Sequence, residues 1–294
     1  MTEIALEQFK QAILAQYPDL PIASISFLGE GWANRLCLVN KTLIFRFPLD
    51  ATSEQQLLRE IRLLPVLIPE LPLPIPEYKY IAINSKKYPF AFVGYDRIPG
   101  VSISQPSETL RQAIWWRLQA GAFLTALHRI PIRKVTAVGL EGYPTAQAWR
   151  DALAAKHAPY ERHVCPLLTA ARCKAMLSYL EKAVCDERMV AFSPVVLHQD
   201  FDFHNFLVDL EQQQITGVID FGSVSIGDPA VDVSPEIQPY YGGRIDSGWN
   251  FRRDYYKRTG ALEDLLYIRT CEHEIPNQEA IQERKLLEIA GIWS

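Results

Sequence analysis

The sequence predicts an α+β fold in two lobes: a small N-terminal antiparallel sheet with one helix, and a larger, mainly helical C-terminal lobe. Three observations predict it. Short apolar runs punctuated by Gly, Pro and Asn fill most of residues 22–95. Helix-period patterns dominate residues 108–184. A chain of 294 residues also exceeds the size at which one hydrophobic core keeps growing, so two lobes meeting at a cleft are expected.

The N-terminal elements follow in order. Ile22–Leu28 reads as a strand, Gly29-Glu30-Gly31 as a tight turn, Leu36–Val39 as the returning strand and Thr42–Phe47 as a third. A glycine turn between strands lets backbone N–H groups approach a phosphate closely, although two glycines near a hairpin also suit a plain turn. Arg46 interrupts the apolar run Leu43-Ile44-Phe45-Arg46-Phe47, which is costly unless its charge is paired. Glu60 is the partner expected. It sits in a helix predicted over 54–64, where Ser53 and Gln56 fit a capping box, Leu57, Ile61 and Leu64 share a face, and Pro65 would end the run. The plainer alternative is an exposed edge-strand arginine and a solvated helix glutamate.

Five prolines between Pro65 and Pro76 make an extended connection, and a strand pair, Glu77–Ile83 and Tyr88–Tyr95, follows around Asn84-Ser85-Lys86. Ile98-Pro99-Gly100 breaks the pattern. Beyond it, residues 108–129 read as one long helix, and Thr145–Lys156 and Pro166–Val184 as further helices.

Function is concentrated in Val196-Leu197-His198-Gln199-Asp200-Phe201-Asp202-Phe203-His204-Asn205-Phe206-Leu207-Val208 and in Gly217-Val218-Ile219-Asp220-Phe221-Gly222. Each is an apolar strand interrupted by polar residues that a core would reject. Phosphoryl transfer needs a carboxylate to orient the attacking hydroxyl, oxygen ligands for a metal, and cations for phosphate. Asp200 can be the first. Asn205 and Asp220 offer a carbonyl and a carboxylate oxygen suited to a hard cation that keeps several waters.

His-x-Asp with Asn five places on, then Ile-Asp-Phe-Gly, resembles the catalytic loop and metal motif of the protein-kinase-like fold in its aminoglycoside phosphotransferase version. The resemblance implies a bilobal enzyme, with lobes at 1–97 and 98–294 and a linker near 93–100, in which Asp200 acts on the acceptor hydroxyl, Asn205 and Asp220 hold Mg2+, and ATP or GTP donates the phosphate. It further implies that Arg46, in place of the usual lysine, binds the nucleotide phosphates and is positioned by Glu60. The turn with Gly29 and Gly31 would cover the phosphates, and the backbone of Phe92, Val93, Gly94 and Tyr95 would bond the purine, with Phe92 guarding that site. Phe123-Leu124-Thr125-Ala126-Leu127-His128-Arg129-Ile130-Pro131 resembles a helix end of the same family, with His128 structural. His198 would orient the catalytic loop, and Asp228 and Asp232 would fix loop backbone and cap the next helix. His198-Gln199-Asp200-Phe201 and Phe92-Val93-Gly94-Tyr95 are most similar to the branch acting at the 2''-hydroxyl. Antibiotic resistance is the associated expectation.

Charge and composition narrow the partners. A net charge of -4 argues against nucleic acid, which requires clustered Lys and Arg. No run approaches a membrane span and the start lacks a signal-peptide layout, so a cytoplasmic protein is expected. The five cysteines contain no Cys-x-x-Cys and predict reduced thiols rather than a disulfide frame or a zinc site. Residues 228–294 hold twelve acidic against eight basic side chains, and an acidic wall would attract a small, cationic substrate. Substrate candidates are Asp202, Glu236, Asp246, Glu263, Asp264, Glu272 and Glu274, with Trp249 and Trp293 as stacking surfaces; solvated helix faces are the plainer reading. Two other functions fit the motifs: the same chemistry on a macrolide or on a metabolite such as choline or homoserine, and a nucleotide-binding module without transferase activity.

Overall fold

A computed structural model describes residues 3–271 and 277–293. The chain opens with α1 (Glu3–Gln16), β1 (Ile25–Glu30), β2 (Asn34–Val39), β3 (Leu43–Pro48), α2 (Ala51–Leu67), β4 (Tyr78–Ala82) and β5 (Phe92–Asp96). The five strands form an antiparallel sheet in the order β1-β2-β3-β5-β4. Side chains alternate across it. Phe45, Phe47 and Phe92 point to one face and bury against Phe9, Ala12 and Ile13 of α1, each aromatic contributing roughly 1.5–3 kcal/mol by burial. Arg46 and its register partner Val93 point to the other face, toward Leu57 of α2.

Several local expectations shift. Gly29 lies within β1, opposite Leu36, and the turn instead begins at Gly31, whose N–H donates to Asn34 O at 2.9 Å. A bulge between Phe27 and Gly29 absorbs the offset. The helix starts three residues earlier than predicted because Asp50 accepts the Ser53 N–H at 2.7 Å and serves as N-cap. It also runs through Pro65. One ladder bond is lost there, but Leu63, Leu64 and Leu67 are buried on the continuing turns.

The predicted purine contacts need a larger correction. The β5 strand is interior, paired with β3 on one edge and β4 on the other, so the backbone groups of Phe92, Val93, Gly94 and Tyr95 are spent in the ladder. Phe92 cannot guard a site on the face of Arg46, because its side chain points the opposite way, stacked on Phe47. The alternation that buries Phe92 brings Val93 and Tyr95 to that face instead.

From the end of β5 the chain crosses to β6 (Val101–Ser102), then runs through α3 (Glu108–Gln112), α4 (Ile114–Arg129), α5 (Ile132–Thr136), α6 (Ala146–Ala155), α7 (His157–His163) and α8 (Ala170–Val184). It continues through β7 (Val195–Leu197), β8 (Phe206–Asp209), β9 (Gln214–Val218), β10 (Ser225–Gly227), α9 (Trp249–Thr270) and α10 (Gln278–Ile292). The single helix predicted over 108–129 is divided at Ala113, which is extended. Trp116 Nε1 and Arg117 Nε both donate to Arg111 O and satisfy the first segment's end. Within α4, Trp116, Phe123, Leu124 and Leu127 form a core beneath the β8–β9 hairpin with Phe203, Phe206 and Val218.

Cys165 and Cys173 form a disulfide, against the expectation that all thiols are reduced. A short turn at Cys165–Leu167 and the cap of α8 at Thr169 fold the chain back, leaving the two Cα atoms 5.2 Å apart, within bonding range. Among the described residues no helix is long and apolar enough to cross a membrane.

Candidate active site

Asp200 follows β7 on a loop that returns to β8 through a short turn at Phe203–Asn205. The loop is held from several sides. Asp232 accepts the backbone N–H groups of His198 at 2.7 Å and Gln199 at 2.8 Å. It is itself fixed by His128 Nε2 at 3.1 Å, whose Nδ1 meets Tyr241. Gln199 takes a left-handed φ of 67°, a conformation that costs a non-glycine residue about 1–2 kcal/mol, and the Asp232 bonds offset that cost. His198 is buried and its Nε2 meets Ile219 O at 3.2 Å, tying this loop to the residue before Asp220. Burial holds its pKa below the ordinary value, against the pull of nearby carboxylates.

Asn205 stands where the hairpin brings the two motifs together. Phe206 pairs with Val218, and one step beyond the Ile219 N–H donates to Asn205 O at 2.9 Å. Asn205 Nδ2 donates to Asp200 O at 2.8 Å and to Asp200 Oδ2 at 2.9 Å, so the amide oxygen faces away from those bonds. His204 Nε2 lies 3.3 Å from the same Oδ2. Burial pushes the Asp200 carboxyl up, but the bonds to His204 and Asn205 outweigh it and hold its pKa below the ordinary value. Asp220 also has a left-handed φ, 65°, and its half-exposed carboxylate lies 3.7 Å from Arg46 Nη2.

The Arg46–Glu60 pairing is present and buried: Arg46 is 7% exposed, Glu60 is 1% exposed, and Nη1 meets Oε2 at 2.8 Å. This excludes the surface alternative. Two further partners had no sequence signal strong enough to name them. Tyr78 donates its hydroxyl to Glu60 Oε2 at 2.7 Å. Asn34, at the end of the β1–β2 turn, sits beside Arg46, and with its amide turned so that the oxygen faces the guanidinium it accepts from Nη2 at 3.1 Å and Nε at 3.2 Å. The planar fork is thus met by acceptors from strand, helix and turn, which a lysine ammonium would not span.

Beside the Asp200 loop opens a cavity of about 800 Å³. Its walls come from Arg59 of α2, Trp149 of α6 and Lys156 just past its end, Gln199, the turn Ser223–Ser225, and one face of α9 carrying Tyr256, Thr259, Glu263 and Asp264. Of the predicted acidic candidates, Glu263 and Asp264 therefore line it. Both are already engaged: Glu263 with Lys156 at 2.8 Å and with the Tyr160 hydroxyl, Asp264 with Lys285 at 2.8 Å. Asp202 and Glu236 instead line a separate cleft of about 60 Å³ with Arg111 and Trp116. Asp246 is bound by Arg252, which also pairs with Asp228 in the interior. Trp249 and Trp293 are buried in the core and offer no stacking surface. Glu272 and Glu274 lie outside the described residues.

The model of a phosphotransferase enzyme family matches residues 24–271. The chain belongs to this family. Among solved structures, this phosphotransferase is similar to the aminoglycoside phosphotransferase APH(2'')-IIIa in complex with GDP and kanamycin, at 23% identity over 97% of each chain, TM-score 0.83. It is also similar to the streptomycin–ATP–APH(2'')-IIa ternary complex, at 18% identity over 99% of this chain and 97% of that one, TM-score 0.67. A third similar structure is the macrolide 2'-phosphotransferase MphH from Brachybacterium faecium, at 18% identity over 97% of this chain and 98% of that one, TM-score 0.70. At these identities the likeness shows a common kinase-like fold. No curated protein sequence matches the chain.

Proposed function

We propose that this phosphotransferase moves the γ-phosphate of ATP or GTP to a hydroxyl of an aminoglycoside-like acceptor. The observation that carries the reading is the Asp200 carboxylate, oriented through Oδ2 by Asn205 and His204 and one residue from Gln199, which lines the large cavity. In this reading Asp200 orients the acceptor hydroxyl and accepts its proton as the hydroxyl oxygen bonds to the γ-phosphorus and the bond to the β–γ bridging oxygen breaks. Arg46 binds phosphate oxygens, held by Glu60, Tyr78 and Asn34. Gly31, with its turn beneath Asn34, would bring backbone close to the phosphates. The ladder spends the β5 backbone and Arg97 N–H, which donates to Thr42 O, so the purine would be bonded from Ile98 onward.

The amide oxygen of Asn205 and the Asp220 carboxylate fit Mg2+, which takes few protein ligands and keeps several waters. When bound, it neutralises charge on the phosphates.

A second acceptor class is favoured by one feature of the cavity. Glu263 and Asp264 are matched by Lys156 and Lys285, while Trp149 and Tyr256 supply aromatic surface, a lining that also suits a larger, less charged acceptor such as a macrolide. Nucleotide consumption measured across aminoglycosides, macrolides, choline and homoserine separates these readings. Asp200→Ala should lower transfer by about 10²–10⁴-fold and leave nucleotide binding nearly intact. Undiminished turnover in that variant removes the role assigned to Asp200.

A further inference from the structure

Trp32 occupies the turn between β1 and β2, yet phosphate binding by that turn's backbone has no use for an indole. Its ring, on a residue 37% exposed, stacks on Tyr267 of α9 with centroids 5.2 Å apart and planes 14° apart. Tyr267 is no arbitrary partner. Tyr256, Thr259, Glu263 and Asp264 line the large cavity along one face of α9, and Tyr267 follows Asp264 by three residues and Glu263 by four, which puts it on the same face one turn further along. The end of the cavity-lining helix therefore meets the turn between β1 and β2 through this ring pair.

We infer that Trp32 and Tyr267 form a clasp holding the phosphate turn against the acceptor helix, which keeps water from the γ-phosphate until an acceptor hydroxyl is seated. The inference rests on the phosphotransferase reading above. With the clasp open, a water oxygen bonds to the γ-phosphorus as the bond to the β–γ bridging oxygen breaks. That side reaction gives nucleoside diphosphate and inorganic phosphate, with the water's proton passing to Asp200 or solvent. Both regions keep their own cores without the stack, since among the described residues the buried core clusters include neither Trp32 nor Tyr267. Loss of the ring contact should thus change the partition between transfer and hydrolysis while the protein stays folded.

Two measurements on the full chain test this. Amide hydrogen exchange at residues 31–34, without ligand, should quicken roughly three- to tenfold in Tyr267→Ala, the scale of one stacked pair, and stay at the wild-type rate in Tyr267→Phe, which keeps the ring. The ratio of kanamycin phosphorylation to nucleotide hydrolysis, with ATP or GTP, should fall by a similar factor in Trp32→Ala and in Tyr267→Ala. The double variant should be no worse than either single change. Unchanged exchange in Tyr267→Ala overturns the clasp, and quicker exchange with an unchanged ratio overturns its shielding role. If exchange depends on Tyr267 but no panel acceptor is ever phosphorylated, the clasp stands as a conformational coupling and the transferase reading fails.

Discussion

At the scale of single residues, the decisive pair is Arg46 with Glu60. Removing one member of a buried ion pair leaves the other charged and desolvated, at a cost of roughly 3–5 kcal/mol. Glu60→Ala should therefore lower the urea midpoint strongly, and Arg46→Ala combined with Glu60→Ala should recover part of the loss. His198 gives a pH signature. Burial lowers its pKa below the ordinary 6.5, so the unfolded chain takes up the proton first. Its stabilising contribution is present above about pH 6.5 and fades as pH falls toward the folded pKa. Urea unfolding of His198→Gln across that window should show a flatter profile than wild type. The pairing of Arg46 was legible because a lone charge in an apolar run demands a partner. Phe92 was misread because motif position does not say which face of the sheet a side chain takes; that requires the strand's register.

At the scale of elements, β10 and α6 set the shape of the large cavity. A Cβ at Gly227 would stand 2.1 Å from Trp149 Cζ3, a contact that side chains do not tolerate. Gly227→Ala should push Trp149, whose Nε1 donates to Tyr256, out of the wall. Acceptor KM should then rise by about tenfold, on the scale of one misplaced binding group, while nucleotide KM stays near wild type. Steady-state kinetics varying each substrate in turn checks this. Sequence periodicity located α2, the α3–α4 stretch, α6 and α8 but not α1, α5, α7, α9 or α10, and the β8–β9 hairpin followed from its two motifs. The break at Ala113, the cap at Asp50 and the disulfide were not legible, because each depends on side chains meeting backbone or partner across a turn. The acidic wall was legible only as a composition bias, and geometry assigned Glu263 and Asp264 to the cavity and Asp246 to an interior ion pair.

At the scale of the whole molecule, ligand binding should be visible as stability. Mg2+ with ATP or GTP at about a hundred times its Kd should stabilise the native state by about 2.7 kcal/mol, seen as a rise in Tm. Asp220→Ala should lose most of that rise, because the half-exposed Asp220 carboxylate is assigned to the metal rather than to the core. Equal shifts in both proteins would separate Asp220 from nucleotide binding. The two-lobed architecture was expected from length and pattern alone, whereas the contact of Trp32 with Tyr267 joins residues 235 positions apart that no local signal relates. One feature of the fold carries a further consequence. The residues assigned to chemistry, Asp200, Asn205 and Asp220, sit on a single uninterrupted stretch braced by the β8–β9 hairpin, while much of the cavity wall beyond Gln199 and Ser223–Ser225 is recruited from α2, α6 and α9. Mutation can therefore reshape what is modified without touching how it is modified, which makes the hairpin a heritable cassette and the helices around it the ground on which new acceptors are tried.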